Sequence, residues 1–270
     1  MTQRLFIRND DVRSTLDDSL VELTEIVLDA GFSITHAVEP ANISEGVAAW
    51  LLQQHASHPG RVEIVQHGYD HRPRHYERGR PGEFGGQRGQ AEQMDDLQRG
   101  RSLMDRHFGT AWFPALTFPF GAYNEDTLRA AEQCGFKVIS TGSNDRWRRR
   151  LLNRAGRLLR RKRLWGRNVV YECSPVPGYR LIEIPIIFNH TKRYIPPDSG
   201  EQKTAQELQQ EWQRCSRRRN VVGLLTHHRF ETRQDLVHMR DYLRFCERSD
   251  VKGITLESLY VETLDRYQRH

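Results

Sequence analysis

Short apolar runs, each ending in polar or ionisable residues and each followed by a helix-like pattern, constrain this chain more than any other feature. Leu5-Phe6-Ile7 leads into Arg8-Asn9-Asp10-Asp11, and Leu20, Leu23, Val27 and Ala30 then recur at helical spacing until Gly31. The same reading predicts strands over 33–38, 62–65, 115–118, 138–140, 181–188, 221–225 and 251–255. Helices are predicted over 43–56, 91–107, 124–134, 205–218 and 233–246, and residues 72–89, rich in Gly, Arg and Pro, read as a long loop. Repeated βα units with polar residues after each strand imply an α/β fold, a barrel whose site lies at the C-terminal ends of its strands. A chain of 270 residues is long enough to close such a barrel as one domain.

Two strand ends carry candidate chemistry. Adjacent carboxylates after a buried strand are costly unless a cation binds them, and neighbouring side chains there point to opposite sides. Asp10 and Asp11 are therefore read as one metal ligand and one proton acceptor, with a solvated turn and helix cap as the bland alternative. His67-Gly68-Tyr69-Asp70-His71 follows the third strand and places two imidazoles four residues apart, within reach of one ion. With Asp10 or Asp11 the set becomes two histidines and a carboxylate with room for water, the pattern of catalytic zinc or iron sites. Zinc is the default expectation.

Read together, these residues resemble the polysaccharide deacetylases of the NodB-homology, carbohydrate esterase type. Asp10-Asp11 is similar to the first motif, His67-x-x-x-His71 to the second, Pro119-Phe120-Gly121 to the third and Leu225-Thr226-His227 to the fifth, spanning Leu5 to His228. The resemblance implies a distorted (β/α) barrel and metal-dependent N-deacetylation of an amino sugar. It implies Asp10 as general base, Asp11, His67 and His71 as metal ligands, His227 as general acid and the Phe120 backbone N–H as an oxyanion donor. His228 is the alternative acid. The chemistry demands such parts: an amide needs an activated water, an oxyanion stabiliser and a proton for the departing amine.

The pattern departs from the family in two places. The Arg usual two residues before the third-motif Pro is Thr117 here, and Arg88, near Glu83-Phe84-Gly85-Gly86, is the candidate replacement cation. The fourth motif has no clean counterpart, with Asp145 and Trp147 where one is expected. Pro119, Tyr123, His36 and His190 are further substrate-side candidates.

Charge is concentrated. Residues 146–167 hold eleven Lys or Arg and no acid; set against a net charge of +6, they leave −5 for the remainder. Trp147, Leu151, Leu152, Ala155, Leu158, Leu159 and Trp165 share one arc of a helical wheel, which predicts a basic amphipathic helix. Its readings are an interfacial helix on an anionic membrane, a barrel helix with a solvated basic face, or an RNA contact. Cys134, Cys173, Cys215 and Cys246 lack the spacing of a zinc ribbon or a disulfide scaffold. The N-terminus shows no signal-peptide pattern, giving the expectation of a cytoplasmic enzyme, peripheral at the inner membrane face. Its expected substrate is an N-acylated sugar of a cell-surface polysaccharide, lipopolysaccharide or lipid-linked precursor. The rival classes are a catalytically impaired carbohydrate-binding relative and an Arg-rich nucleic-acid binder.

Overall fold

The computed structural model describes residues 2–143, 146–195 and 199–269. In chain order, β1 (Arg4–Val12), α1 (Asp18–Asp29), β2 (Ile34–Val38), α2 (Glu45–Ser57) and β3 (Val62–His67) form the first alternating stretch. The hairpin β4 (His75–Glu77) and β5 (Arg80–Gly82) precedes α3 (Gln90–Phe108), β6 (Ala115–Thr117), α4 (Glu125–Gln133) and β7 (Val138–Ser140). Next come α5 (Trp147–Leu158), β8 (Arg163–Leu164), β9 (Arg167–Asn168), β10 (Ser174–Pro175), β11 (Ile182–Glu183) and β12 (Phe188–Asn189). The chain continues through β13 (Thr191–Ile195), β14 (Ser199–Gln202), α6 (Ala205–Ser216), β15 (Val221–Thr226), α7 (Arg233–Arg248), β16 (Lys252–Gly253) and α8 (Leu256–Gln268).

The main sheet has the order β10-β11-β7-β6-β3-β2-β1-β15-β12, with β16 added on β1. Within it β1 pairs β15 and β16, β3 pairs β6, β7 pairs β6 and β11, and β12 pairs β15, all in parallel, whereas β10 runs antiparallel to β11. Parallel strands present their C-terminal ends on one side, which is where α/β folds place ligand-binding groups.

Two compact units emerge from the contacts: Met1–Ala37, Ser44–Ile64 and Ile186–Thr255 form one, and Val38–Ile43, Val65–Pro185 and Leu256–His270 the other. In the first, Leu5, Ile7, Leu23, Val27, Leu208, Leu224, Met239 and Leu243 bury a continuous core between strands and helices. Asp17 caps α1 by accepting from the Leu20 N–H at 2.8 Å, and α6 and α7 begin with capping boxes at Thr204/Glu207 and Thr232/Asp235. In the second, α3 packs on α4, and a small separate core joins Leu152, Val169 and Tyr171.

Four expectations change. The single strand over 181–188 is two short ones, because Pro185 cannot donate to a ladder; β11 pairs β7 and β12 pairs β15. The loop over 72–89 contains the β4–β5 hairpin. The helix expected across 146–167 stops at Leu158, and the rest forms a β8–β9 hairpin turning through Trp165 and Gly166, both at positive φ. The last strand shrinks to two residues before α8, a helix absent from the sequence reading. Among the described residues no helix is long and apolar enough to cross a membrane.

Candidate metal and catalytic site

In the first unit the site begins where β1 outruns its partner. The β1–β15 ladder ends at Asn9 opposite Thr226, so Asp10 and Asp11 on one strand and His227 on the other follow directly at the C-terminal ends. Both carboxylates are buried, and each has a cation nearby. Arg8 Nε and Nη2 donate to the two Asp10 oxygens at 2.7 and 2.8 Å, a bidentate pair that fixes the plane of the carboxylate. Arg229 Nη1 lies 3.7 Å from Asp11 Oδ2. Asp11 itself adopts φ 62°, a left-handed conformation unfavourable for a residue with a Cβ and typical of over-determined functional turns.

His227 is buried, its ring edge-on to Tyr194 and tilted against Phe230. The Tyr194 hydroxyl stands 3.5 Å from His227 Nδ1 and accepts from Asn189 Nδ2 at 2.7 Å. Burial, with the charges of Asp10 and Asp11 adding to it, pushes the Tyr194 hydroxyl up to about 12. It therefore keeps its proton and can donate toward Nδ1, leaving Nε2 as the reactive nitrogen. His228 is turned inward: its N–H and Nδ1 both meet Asn9 Oδ1, and burial lowers its pKa to about 4. This partnership makes His228 a strut between the two strand ends.

In the second unit, β3 delivers His67 and the following turn delivers His71. His67 Nδ1 lies 2.5 Å from Thr117 Oγ1, whose own hydroxyl is directed to the Gln66 carbonyl oxygen. Nδ1 thus carries the proton and donates, and Nε2 remains as the ligand atom, the usual outer-sphere arrangement of a metal-binding imidazole. Glu83 shapes the turn. Its Oε1 accepts from the Tyr69 and Asp70 N–H groups at 2.9 and 3.0 Å, and burial raises its pKa to about 7. Only glycine fits at position 68, where φ is +56° and a Cβ would meet Glu83 Oε2 at 2.3 Å and Pro119 Cγ at 2.6 Å. His71 (φ 54°) and Phe120 (φ 59°) are likewise left-handed, with ring centroids 4.5 Å apart.

Asp11 in the first unit offers a carboxylate, and His67 and His71 in the second offer two imidazoles, the donor set of a divalent ion with positions left for water.

The structure corrects several substrate-side expectations. The guanidinium on Asp10 belongs to Arg8; Arg88 is occupied with the Glu83 carbonyl oxygen and Asp96, each at 2.8 Å. His36 is fully buried, accepting from Asn9 Nδ2 and donating through Nε2 to Thr24 Oγ1, and burial lowers its pKa to about 3. His190, also fully buried, bonds Glu231 at 2.7 Å and the Lys203 carbonyl oxygen at 3.2 Å. Against the opposing effect of burial, His190 holds the Glu231 carboxyl below its ordinary range. Both histidines brace loops and have no nitrogen left for substrate. Pro119 is buried against Gly68, and Tyr123 stacks on Phe118 while its backbone carbonyl oxygen accepts from Asn168 Nδ2 at 3.4 Å. Asp145 lies outside the described residues, and Trp147 is 61% exposed. Arg8, Thr117, Tyr194 and Glu83 are the site residues that sequence reasoning did not assign.

Residues 10–139 match the family model described as polysaccharide deacetylase. No curated protein sequence matches the chain. Among solved structures, the chain is similar to a provisionally described polysaccharide deacetylase from Mycobacterium smegmatis at 14% identity and TM-score 0.67, covering 99% of this chain and 92% of that one. It is similar to a family 4 acetyl xylan esterase from Clostridium thermocellum in complex with cobalt at 10% identity and TM-score 0.59, over 96% and 91%. A family 4 carbohydrate esterase pseudoenzyme from Bacillus anthracis shares 11% identity at TM-score 0.55, over 96% and 66%. At such identities the likeness establishes the fold, a mixed α/β fold with a curled parallel half-barrel sheet. Residues 10–139 are thus similar to the polysaccharide deacetylase family, and the chain as a whole has the fold of carbohydrate esterase family 4 structures.

Proposed function

We propose that the protein is a metal-dependent hydrolase that removes an N-acyl group, acetyl in the simplest case, from an amino sugar. The reading rests on one observation above all, the way each unit prepares its own candidate groups: Arg8 holds Asp10, the carboxylate beside Asp11, bidentately, and Thr117 takes His67 Nδ1 so that Nε2 is the ligand atom.

In this reading Asp11, His67 and His71 hold a divalent ion, zinc by default. Such an ion supplies a Lewis acid that polarises the amide carbonyl and makes water more acidic. Asp10 takes the proton as water adds to the carbonyl carbon, and Arg8 keeps the accepting oxygens in one plane. His227 passes a proton to the amide nitrogen as the C–N bond breaks, releasing carboxylate and free amine; an imidazole suits that task near neutrality. The Phe120 N–H is assigned to the developing oxyanion. The substrate is an N-acylated sugar of a cell-surface polysaccharide, lipopolysaccharide or lipid-linked precursor, met at the cytoplasmic face of a membrane.

The test is amine and acetate release from N-acetylated glycans by protein stripped of metal and reloaded with zinc or cobalt, beside Asp10→Asn. Release that requires added metal and collapses in the variant is expected. Protein that binds the ion and releases neither product would belong with the carbohydrate-binding relatives.

A further inference from the structure

The segment over 146–167 is not consumed by the site. Its helix, α5, packs inward through Leu152, Asn153 and Gly156. Gly156 lies so close to Val169 that a Cβ would fall 2.2 Å from Val169 Cγ2, and Tyr171 donates to the Gly156 carbonyl oxygen at 3.1 Å. This settles which side faces the protein. Trp147, Leu151 and Leu158, spaced four and seven residues apart, form a stripe on the other side of the helix. They are 61%, 57% and 84% exposed.

The stripe continues beyond the helix. Leu159 and Trp165 are also open to solvent, Trp165 at the tip of the β8–β9 turn and 78% exposed. Five large apolar side chains within nineteen residues cover no part of the protein, whereas singly scattered ones would need no explanation. The cations around them are also exposed: Arg146, Arg148, Arg154, Arg157, Arg160, Arg161, Arg163 and Arg167. Arg149 and Arg150 are half-buried, and Lys162 is drawn inward to Glu183 at 2.6 Å and the Val169 carbonyl oxygen at 2.8 Å. Glu172 lies 3.9 Å from Arg157 at the edge of this cationic surface.

We propose that the face formed by Trp147, Leu151, Leu158, Leu159 and Trp165, with its flanking arginines, docks on the surface of an anionic lipid bilayer. The combination selects that partner. Arginines alone fit any polyanion, but a nucleic acid offers no hydrocarbon for leucines to enter. Tryptophans and leucines with a cationic rim match the headgroup boundary, where apolar groups sink and guanidinium groups meet lipid phosphates. The charge is complementary over the whole patch. This deepens the membrane clause of the proposed function and is independent of its catalytic clause.

The experiment is co-sedimentation of the full chain with vesicles of phosphatidylcholine alone or mixed with phosphatidylglycerol, read together with tryptophan emission. Binding to the mixed vesicles and not to the neutral ones is expected, with a blue shift in emission. Trp147→Ser combined with Trp165→Ser should abolish the shift, since the other three tryptophans lie outside this face, Trp112 and Trp212 buried and Trp50 half-buried on α2. Arg154→Ala with Arg160→Ala should weaken binding by roughly an order of magnitude or more, at about fivefold per cation. Circular dichroism checks that these surface variants fold. Asp10→Asn protein should bind vesicles like the wild type, so loss of catalysis and loss of docking are separable. Three results overturn the proposal: no sedimentation with anionic vesicles, equal sedimentation with neutral ones, or binding to RNA alone that ignores the tryptophan substitutions.

Discussion

Replacing Arg8 by Met tests how the Asp10 carboxylate is held. Arg8 and Asp10 are both buried, and two short bonds join them, so the substitution leaves a carboxylate in a low-dielectric setting without its bidentate partner. Breaking a buried ion pair from one side costs about 3–5 kcal/mol. In a chain of this size each kcal/mol lowers Tm by roughly 2–4 °C, so a fall of roughly 6–20 °C is expected in thermal unfolding. Asp10→Asn removes the stranded charge, and adding it to Arg8→Met should restore part of the loss, a coupling above about 1.5 kcal/mol in a double-mutant cycle. Arg8→Lys retains charge with one point of attachment; kcat should fall more than KM, because the carboxylate's plane rather than substrate binding is lost. Additive single and double variants, or an Arg8→Met protein with wild-type stability and rate, would refute the reasoning.

Two further outcomes follow from the buried groups around the site. Glu83→Ala removes the acceptor that holds the Tyr69 and Asp70 amides, so zinc affinity measured by competition with a chelator should fall about 10–100-fold, with Glu83→Gln recovering part of it; unchanged affinity in Glu83→Ala would contradict the role. Burial, reinforced by His228, lowers the His36 pKa to about 3, well below the 6.5 of the unfolded chain. Between those values the unfolded state holds a proton that the folded state lacks, so this contribution to stability is complete above pH 6.5 and drains away as pH falls toward 3. Denaturant midpoints for wild type and His36→Asn should therefore diverge at pH 7 and converge on acidification; a gap independent of pH would rule this out.

Much of the site was legible because its first contacts sit where strands end. Asp10-Asp11, His67 and His227 each follow an apolar run, and sequence spacing alone places them at C-terminal strand ends. The groups that support them were harder to read, for different reasons. Arg8 had a signal: two residues before Asp10 on the same strand, it shares that side chain's face. Thr117 looked like a missing arginine because only the tertiary fold shows it holding His67. Tyr194 reaches His227 from thirty-three residues away, a contact with no local signature. His36 and His190 also follow strand-like runs, yet Asn9, Thr24, Glu231 and Lys203 arrive from distant segments to occupy them. The basic segment kept its helical spacing past Leu158, but left-handed Arg160 (φ 50°) ended the helix, and Leu151 and Leu158 lie on the side opposite the buried Leu152, Asn153 and Gly156.

The central claim, that Asp11, His67 and His71 form one metal centre, is tested most directly by metal content. Zinc-loaded wild type, Asp11→Ala and His67→Ala would be dialysed and analysed by plasma mass spectrometry, with circular dichroism as the check on folding. The account predicts one ion per wild-type chain and loss of the ion from both folded variants. A folded Asp11→Ala or His67→Ala protein that retains a full equivalent, or a wild type that holds none, would contradict it.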